Sequence, residues 1–469
     1  MDGFIEVIAI PAVIHLSMNL LFVHQNFPGQ YLHLARHLAA QPGNRVVAIS
    51  QRQDGDLPNV TIRRYRPQRK TTPNVHHYLT SLEAGVLNAQ AVARVALDLK
   101  KSGFIPDVML GHNGWGEIWY LKEVFPQAPL IGYFEFFYQR HGADVGFDPA
   151  EPVRFDAGPR IRTRNAGNLL GLQAADWGQC PAQWQRSTYP TIYHPKLHLV
   201  HEGIDTDLVR PNPNATLRIP MIATTARGEG SHQEKGNNKT DTLTRPEDIP
   251  ASVTGRKGRH EPSDPLPLEF KAGDEVLTYV ARNLEPYRGF PSFMRSLPKI
   301  LQTRPNAQVL IVGGDEVSYG TPLPQGENWK KKMLKELGDS LDTNRIHFLG
   351  KVPYPTFIQI LQISRVHLYL TVPFVLSWSM LEAMAAECLI VGSRTAPVEE
   401  VIEEGENGLL VDFFNPEEIA EQVIETLSNP DAFISLRRNA RQSIIERYDL
   451  KRICLPKQLK LIENVRGKA

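Results

Sequence analysis

The strongest constraint on the fold is an alternation that runs twice along the chain. Short apolar runs bounded by turn residues alternate with longer segments of helical periodicity, the pattern of βα units feeding a parallel sheet. In the first half the strand candidates are residues 18–24, 46–50, 107–110, 129–134, 177–180 and 197–201. Residues 30–40 and 75–101 read as helices between them. The second of these carries an apolar stripe of Leu79, Leu82, Val86, Ala89, Ala93 and Leu97. The second half repeats the alternation with strands at 276–281, 308–312, 345–349, 366–370, 389–392 and 408–411. Helices are expected there at 290–302, 327–337, 355–361, 378–386 and 416–427. A chain of 469 residues exceeds one ordinary core and suffices for two. The expected fold is α/β, two doubly wound Rossmann-like domains facing across a cleft, with ligands at the carboxyl ends of the strands.

Composition changes mark the boundaries. Residues 18–210 read as the first domain and 269–448 as the second. Residues 449–469 read as a C-terminal helix expected to cross back to the first domain. Between them, 211–268 reads as a linker. No aromatic residue occurs between Tyr193 and Phe270, and Gly, Asn, Thr, Pro and mixed charges dominate 227–267. Such a stretch buries too little apolar surface to offset its ordering entropy, so a disordered insertion is expected, with a packed functional loop as the alternative. Residues 1–17 are apolar but interrupted by Glu6, Pro11 and His15, and no basic segment precedes them. They read as an upstream start or a disordered extension, with a membrane-touching tail as the alternative. No other stretch approaches the ~20 apolar residues that cross a bilayer.

Lys and Arg number 52 against 51 Asp and Glu, so no overall basic field recruits nucleic acid. Cys180, Cys388 and Cys454 are far apart and show no metal-ligand spacing, which fits a reducing, cytoplasmic compartment.

Two stretches carry chemistry. In SWSMLEAMAA, Ser377 or Ser379 can cap a helix whose first amides point at the cleft, an arrangement suited to phosphate. Glu382, one turn in, can reach a ribose diol. The alternative is an ordinary capped amphipathic helix. In VARNLEPYRGF, Arg282 and Arg288 bracket a turn at the end of the second domain's first strand. Guanidinium forks there suit a diphosphate, and the side chains of Arg288 and Glu382 are expected in an open cleft. Two plain surface arginines are the alternative. In the first half, Gly29 permits close backbone approach in the loop after strand one. His112 ends another strand, and Glu135, Tyr138 and His141 follow a third, where they are candidates for an acceptor pocket. Asp205-Thr206-Asp207 has the form of a metal-binding DxD, but a capping or interdomain role is expected, and no metal.

Taken together, the second half resembles the retaining glycosyltransferases of family four (group one), which have the GT-B fold. The matching stretches, in order, are ARNLEPYRGF, VLIVGGD, IHFLGKVP, SMLEAMAAECLIVGS and VEEVIEEGENGLLVDFFNPEEIA, from Ala281 to Ala420. VHQNFPGQY, GHNGWGE and HEGIDTD match more loosely in the first half. The resemblance implies that Arg288 and Arg282 grip the donor's diphosphate, that Glu382 holds its ribose, and that the backbone of Leu376, Ser377 and Trp378 meets the diphosphate. It places Gly350 in the loop that meets the base and His112 toward sugar and acceptor. The family's first Glu should fall at 374, where this chain has Phe374. That substitution puts the donor sugar, and turnover itself, in question.

The implied activity is transfer of a sugar from a nucleotide-diphosphate sugar to a glycan, lipid-linked or small-molecule acceptor hydroxyl with retention, in glycan or glycoconjugate biosynthesis. Neither metal nor other cofactor is expected, and peripheral association with the inner membrane surface stays open. The rival readings are a non-catalytic nucleotide-sugar-binding partner of another transferase and a GT-B nucleotide-sugar epimerase.

Overall fold

The computed structural model describes residues 17–150, 152–219 and 267–467. The first sheet contains β1 (Asn19–Val23), β2 (Arg45–Ser50), β3 (Val60–Arg64), β4 (Val108–His112), β5 (Leu130–Tyr133), β6 (Trp177–Cys180) and β7 (Leu197–Leu199). Its strand order is β3-β2-β1-β4-β5-β6-β7. An antiparallel pair, β8 (Thr216–Ile219) and β9 (Leu268–Lys271), follows. The second sheet contains β10 (Val276–Asn283), β11 (Gln308–Gly314), β12 (Ile346–Gly350), β13 (Val366–Tyr369), β14 (Leu389–Ser393) and β15 (Leu409–Val411). Its order is β12-β11-β10-β13-β14-β15. Pairing within both large sheets is parallel. Helices cover both faces, so the inner strands are continuously apolar: Leu20, Leu21, Phe22 and Val23 are all fully buried.

In each sheet the strand order reverses beside the first strand, between β1 and β4 and between β10 and β13. Connections leave such a switch point in opposite directions and open a crevice at the carboxyl ends. The two crevices face each other.

The expected two doubly wound domains are present, with local differences. β3 is an edge strand outside the expected set. Only Val60 and Ile62 in it are apolar, and its pattern is too short to read. The helix expected over 75–101 spans Thr80–Lys101, because His77 and Tyr78 turn away to meet Asp156. Its core face is Ala89, Val92, Ala96 and Leu99, whereas Leu79 and Leu97 are exposed. The rotation follows from Gly85, where an added Cβ would lie 2.4 Å from the Trp119 ring. That contact sets the helix on its small residues. The Ala157–Ala174 helix is also additional, since its Arg160, Arg162, Leu169 and Leu170 blur any amphipathic signal.

Chain crossings tie the halves together. The Leu455–Arg466 helix packs Leu461, Ile462 and Val465 into the first domain's core beside Leu20 and Phe22. The segment after β5 reaches the other way: Phe136 and Ala143 belong to the second domain's core, and the Phe147 ring meets Phe413 at 5.2 Å.

Most of the expected disordered insertion, residues 220–266, lies outside the described residues, as do residues 1–16. The ends of the expected linker are ordered, however, because Ile219 pairs with Leu268 across the antiparallel ladder. Joining Ile219 directly to Leu268 through an Asn-Gly turn should therefore preserve the fold. The expected outcome is a melting temperature within a few degrees of the parent. Cooperative unfolding lost in the shortened chain would assign the removed residues a structural role.

Candidate active site

The facing crevices form one cleft of about 610 Å³. Gly29, His112, Glu135 and Tyr138 line it from the first domain, and Arg282, Trp378 and Phe374 from the second. Sequence-distant candidates thus converge on one cavity. His141 is exposed and is not among its lining residues, and neither are Gly350, Leu376 and Ser377.

The histidines at the β1/β4 switch point build its floor. Nδ1 of His24 accepts from the Asn26 amide and Nδ1 of His112 accepts from the Gly114 amide, each at 2.9 Å. Both rings therefore carry their proton on Nε2 when neutral. Burial keeps them neutral by holding each pKa down at about 3, with mutual repulsion adding to the effect at His24. His24 Nε2 donates to Gln30 Oε1 at 2.7 Å, and Gln30 Nε2 donates to Glu135 Oε1 at 3.3 Å. His112 lies sandwiched between Trp115 and Tyr133, with Nε2 at 3.8 Å from Glu135 Oε2. That Nε2 is buried and makes no hydrogen bond with any described residue. Desolvation raises the Glu135 pKa, while the charges of Arg282 and Arg288 oppose that rise. Gly29 also has a packing role. At φ +46° a Cβ there would lie 2.5 Å from His24 Cε1, so the glycine makes room for the ring.

On the facing side, two expectations need correction. Arg288 and Glu382 are buried, not in open cleft. Arg288 Nη1 donates to the Tyr369 hydroxyl (3.1 Å), Thr371 Oγ1 (2.7 Å) and the Val375 carbonyl (3.0 Å), pinning the loop that leads to the Trp378–Ala385 helix. Glu382 accepts from the Tyr354 hydroxyl at 2.6 Å, because it points into the helix's packed face. Ser377 is the helix cap, as expected, and its side chain accepts from the Ser379 amide. The Ser377 amide itself is taken by the Tyr369 hydroxyl at 2.8 Å, so it is not among the amides open to an anion. Phe374 is enclosed by Phe136, Tyr287 and Tyr319, with ring centroids at 4.6, 5.9 and 5.2 Å.

Residues missed in the sequence hold the two sides together. Glu202 accepts from Trp378 Nε1 at 3.0 Å and from the Tyr133 hydroxyl. Trp184 Nε1 donates to the Phe374 carbonyl at 2.8 Å, and Glu400 receives the Gln183 and Trp184 amides at a helix start. Glu285 accepts from the amides of Ser318, Tyr319 and Gly320, fixing the loop that presents Tyr319. The one available signal was position: His24 follows the first strand and Glu202 sits in the HEGIDTD segment. Asp205 caps a turn through the Asp207 and Leu208 amides, and Asp207 pairs with Lys451 at 2.8 Å. Among the described residues no group of three or more His, Cys, Asp or Glu is arranged to hold a metal ion.

Two family models match the chain: the glycosyl transferase family 4 group over residues 42–209, and the glycosyl transferases group 1 over 264–446. The chain belongs to the group 1 glycosyltransferases. This glycosyltransferase is 30% identical over 180 residues to an uncharacterized glycosyltransferase of Methanocaldococcus jannaschii, a match covering 38% of this chain and 42% of the relative. It is 28% identical over 213 residues to spore coat protein SA of Bacillus subtilis, covering 42% and 51% respectively. The matches thus span about half the length of these curated relatives. Among solved structures, Anabaena HepE in complex with UDP and glucose superposes with a TM-score of 0.58 at 14% identity, covering 95% of this chain and 99% of that one. Sucrose-phosphate synthase from Thermosynechococcus elongatus gives 0.61 at 14%, covering 96% and 100%. At such identities these likenesses speak for the GT-B fold alone.

Glu202 offers a test of how the glycosyltransferase's halves are joined. Desolvation is the main cause raising its pKa to about 7, with repulsion from Glu135 adding to it and hydrogen bonds opposing it. A carboxyl whose pKa is raised on folding is fully accommodated below its unfolded value near 4.5 and loses stability as pH climbs through 7. Glu202→Gln keeps the shape and removes that titration. Relative to the parent, its stability should rise between pH 4 and pH 8, by on the order of 3 kcal/mol at most. Denaturant melts at both pH values check this, and a pH-independent difference would contradict it.

Proposed function

We propose that this chain moves a sugar from a nucleotide-diphosphate sugar to an acceptor hydroxyl, with retention of configuration and without a metal. The observation that carries the reading is the convergence of Arg282 and the Trp378 helix start, from one domain, with His112 and Glu135, from the other, on a single cleft. The diphosphate lies against Arg282 and the helix terminus, with the charge of Arg288 beneath. Glu382, once turned from Tyr354, holds the ribose, and the Gly350 turn meets the base. As the sugar–phosphate bond breaks, negative charge grows on the leaving group, and these fixed cations stabilise it. An oxocarbenium-like centre forms, and the acceptor hydroxyl attacks from the face the diphosphate leaves. The departing phosphate takes the acceptor's proton. His112 cannot serve as the base, since its Nδ1 is occupied; its Nε2–H donates to a sugar or acceptor hydroxyl. Glu135 and Tyr138 orient the acceptor, which is a glycan, a lipid-linked sugar or a small molecule. His141 lies outside this arrangement.

Among the described residues no helix is long and apolar enough to cross a membrane. A cytoplasmic enzyme, in contact with the inner membrane surface when its acceptor is lipid-linked, is the accompanying proposal. Phe374 favours one second reading, a nucleotide-sugar-binding partner without turnover.

Release of nucleoside diphosphate on adding acceptor, screened over common nucleotide sugars, separates the two. Arg282→Ala should lower turnover about ten- to a hundredfold with little change in melting temperature, as expected for a hydrogen bond to a charged leaving group. Arg288→Ala should lower both, because it also strands three acceptors. Chelator should leave turnover unchanged. Unimpaired Arg282→Ala would move the diphosphate elsewhere, and activity lost in chelator but restored by magnesium or manganese would reinstate a metal.

A further inference from the structure

Phe374 stands where a carboxylate was expected in the cleft, yet the cleft keeps another carboxylate beside it. Asp144 lines the cavity on the segment that leaves the first domain and packs into the second through Phe136, Ala143 and Phe147. Its Oδ2 accepts from the Tyr287 hydroxyl at 2.9 Å across the domain junction. Its Oδ1 is buried and has no partner in good hydrogen-bond geometry, the nearby Asp144 and Val145 amides only helping to lower the carboxyl's pKa. An unpaired buried carboxylate oxygen is costly, so its retention in a ligand-sized cleft points to a donor arriving with the ligand.

The surroundings define that ligand. The Tyr138 and Phe374 rings lie 6.5 Å apart with planes 29° from parallel, and Tyr287 and Tyr319 meet Phe374 edge-on. Aromatic walls with one convergent acceptor suit the C–H face and hydroxyl rim of a sugar ring. The Arg164 guanidinium lies 3.7 Å over the Tyr138 ring, and its charge also opposes the rise in the Asp144 pKa. Burial raises the Asp144 pKa, and a second carboxylate placed beside it would add like charge.

We infer that Asp144, oriented by Tyr287, receives hydroxyls of the donor's sugar in an aromatic box around Phe374, and thereby selects a neutral pyranose over a uronate. The inference rests on the proposed use of the cleft for a nucleotide-diphosphate sugar. Asp144 is then a specificity-determining residue supplied by the first domain at the place where position 374 of the second carries no carboxylate. A site built to hydrogen-bond a hydroxyl discriminates strongly against an analogue that lacks it, since its own polar groups are otherwise left unpaired.

Calorimetric titration of the full chain with UDP and GDP, and with UDP-glucose, UDP-N-acetylglucosamine, GDP-mannose and UDP-glucuronate, tests this. At least one neutral conjugate should bind more tightly than its parent diphosphate, and UDP-glucuronate should bind no better than UDP. Asp144→Asn should keep the affinity for the diphosphate and lose roughly ten- to a hundredfold of the affinity for the sugar conjugate, the range a hydrogen bond to a charged group carries. Tyr287→Phe, which keeps the ring and frees the carboxylate, should lose a smaller part in a folded protein. Diphosphate binding with no sugar increment, or an increment untouched in both variants, would overturn the role of Asp144 and leave the proposed function standing. Failure of every nucleotide to bind would overturn both.

Discussion

The hydrogen bond from Trp378 to Glu202 joins the start of a second-domain helix to the floor of the cleft in the first domain. Glu202 also holds the Tyr133 hydroxyl, and Tyr133 stacks on His112 at 5.1 Å. One buried carboxylate thus fixes the distance between the two halves of the site. The Trp184 contact with the Phe374 carbonyl and the Tyr287 contact with Asp144 lie along the same junction. A parallel sheet alone can only offer a crevice at its own switch point. Two crevices become a site when such contacts hold them face to face.

Electrostatics follow the same division. The first domain contributes groups that burial keeps neutral, His24 and His112, and a carboxyl that burial pushes toward neutrality, Glu135, while its cleft-lining Arg52 is paired with Asp54 and its Arg164 covers the Tyr138 ring. The second contributes permanent cations. An anionic leaving group on the second domain's side and a neutral hydroxylated partner on the first is the ligand pattern this field accepts.

Much of this was legible in the sequence, because strands buried on both faces read as continuous apolar runs. The two switch points follow from the order of those runs, and Arg282, Trp378 and His112 could be placed near them from motif position. What could not be read depends on side-chain direction. Glu382 and Arg288 sit where the motifs put them, but their neighbours, Tyr354 and the Tyr369–Val375 loop, draw them inward. Gly29 and Gly85 are explained only by the rings of His24 and Trp119 packed against them. Asp144, Glu202 and Glu285 were missed because each acts across a long sequence separation, and no local pattern records a partner so far along the chain.

On the proposed reading, the diphosphate of a nucleotide sugar lies on the second domain's side of the cleft. A crystal structure with a bound nucleoside diphosphate tests it most directly. Phosphate oxygens are expected within hydrogen-bond reach of Arg282 and the start of the Trp378–Ala385 helix, with the ribose beside Glu382. Phosphate density in the loop after β1, at Gly29 and Gln30, would contradict it.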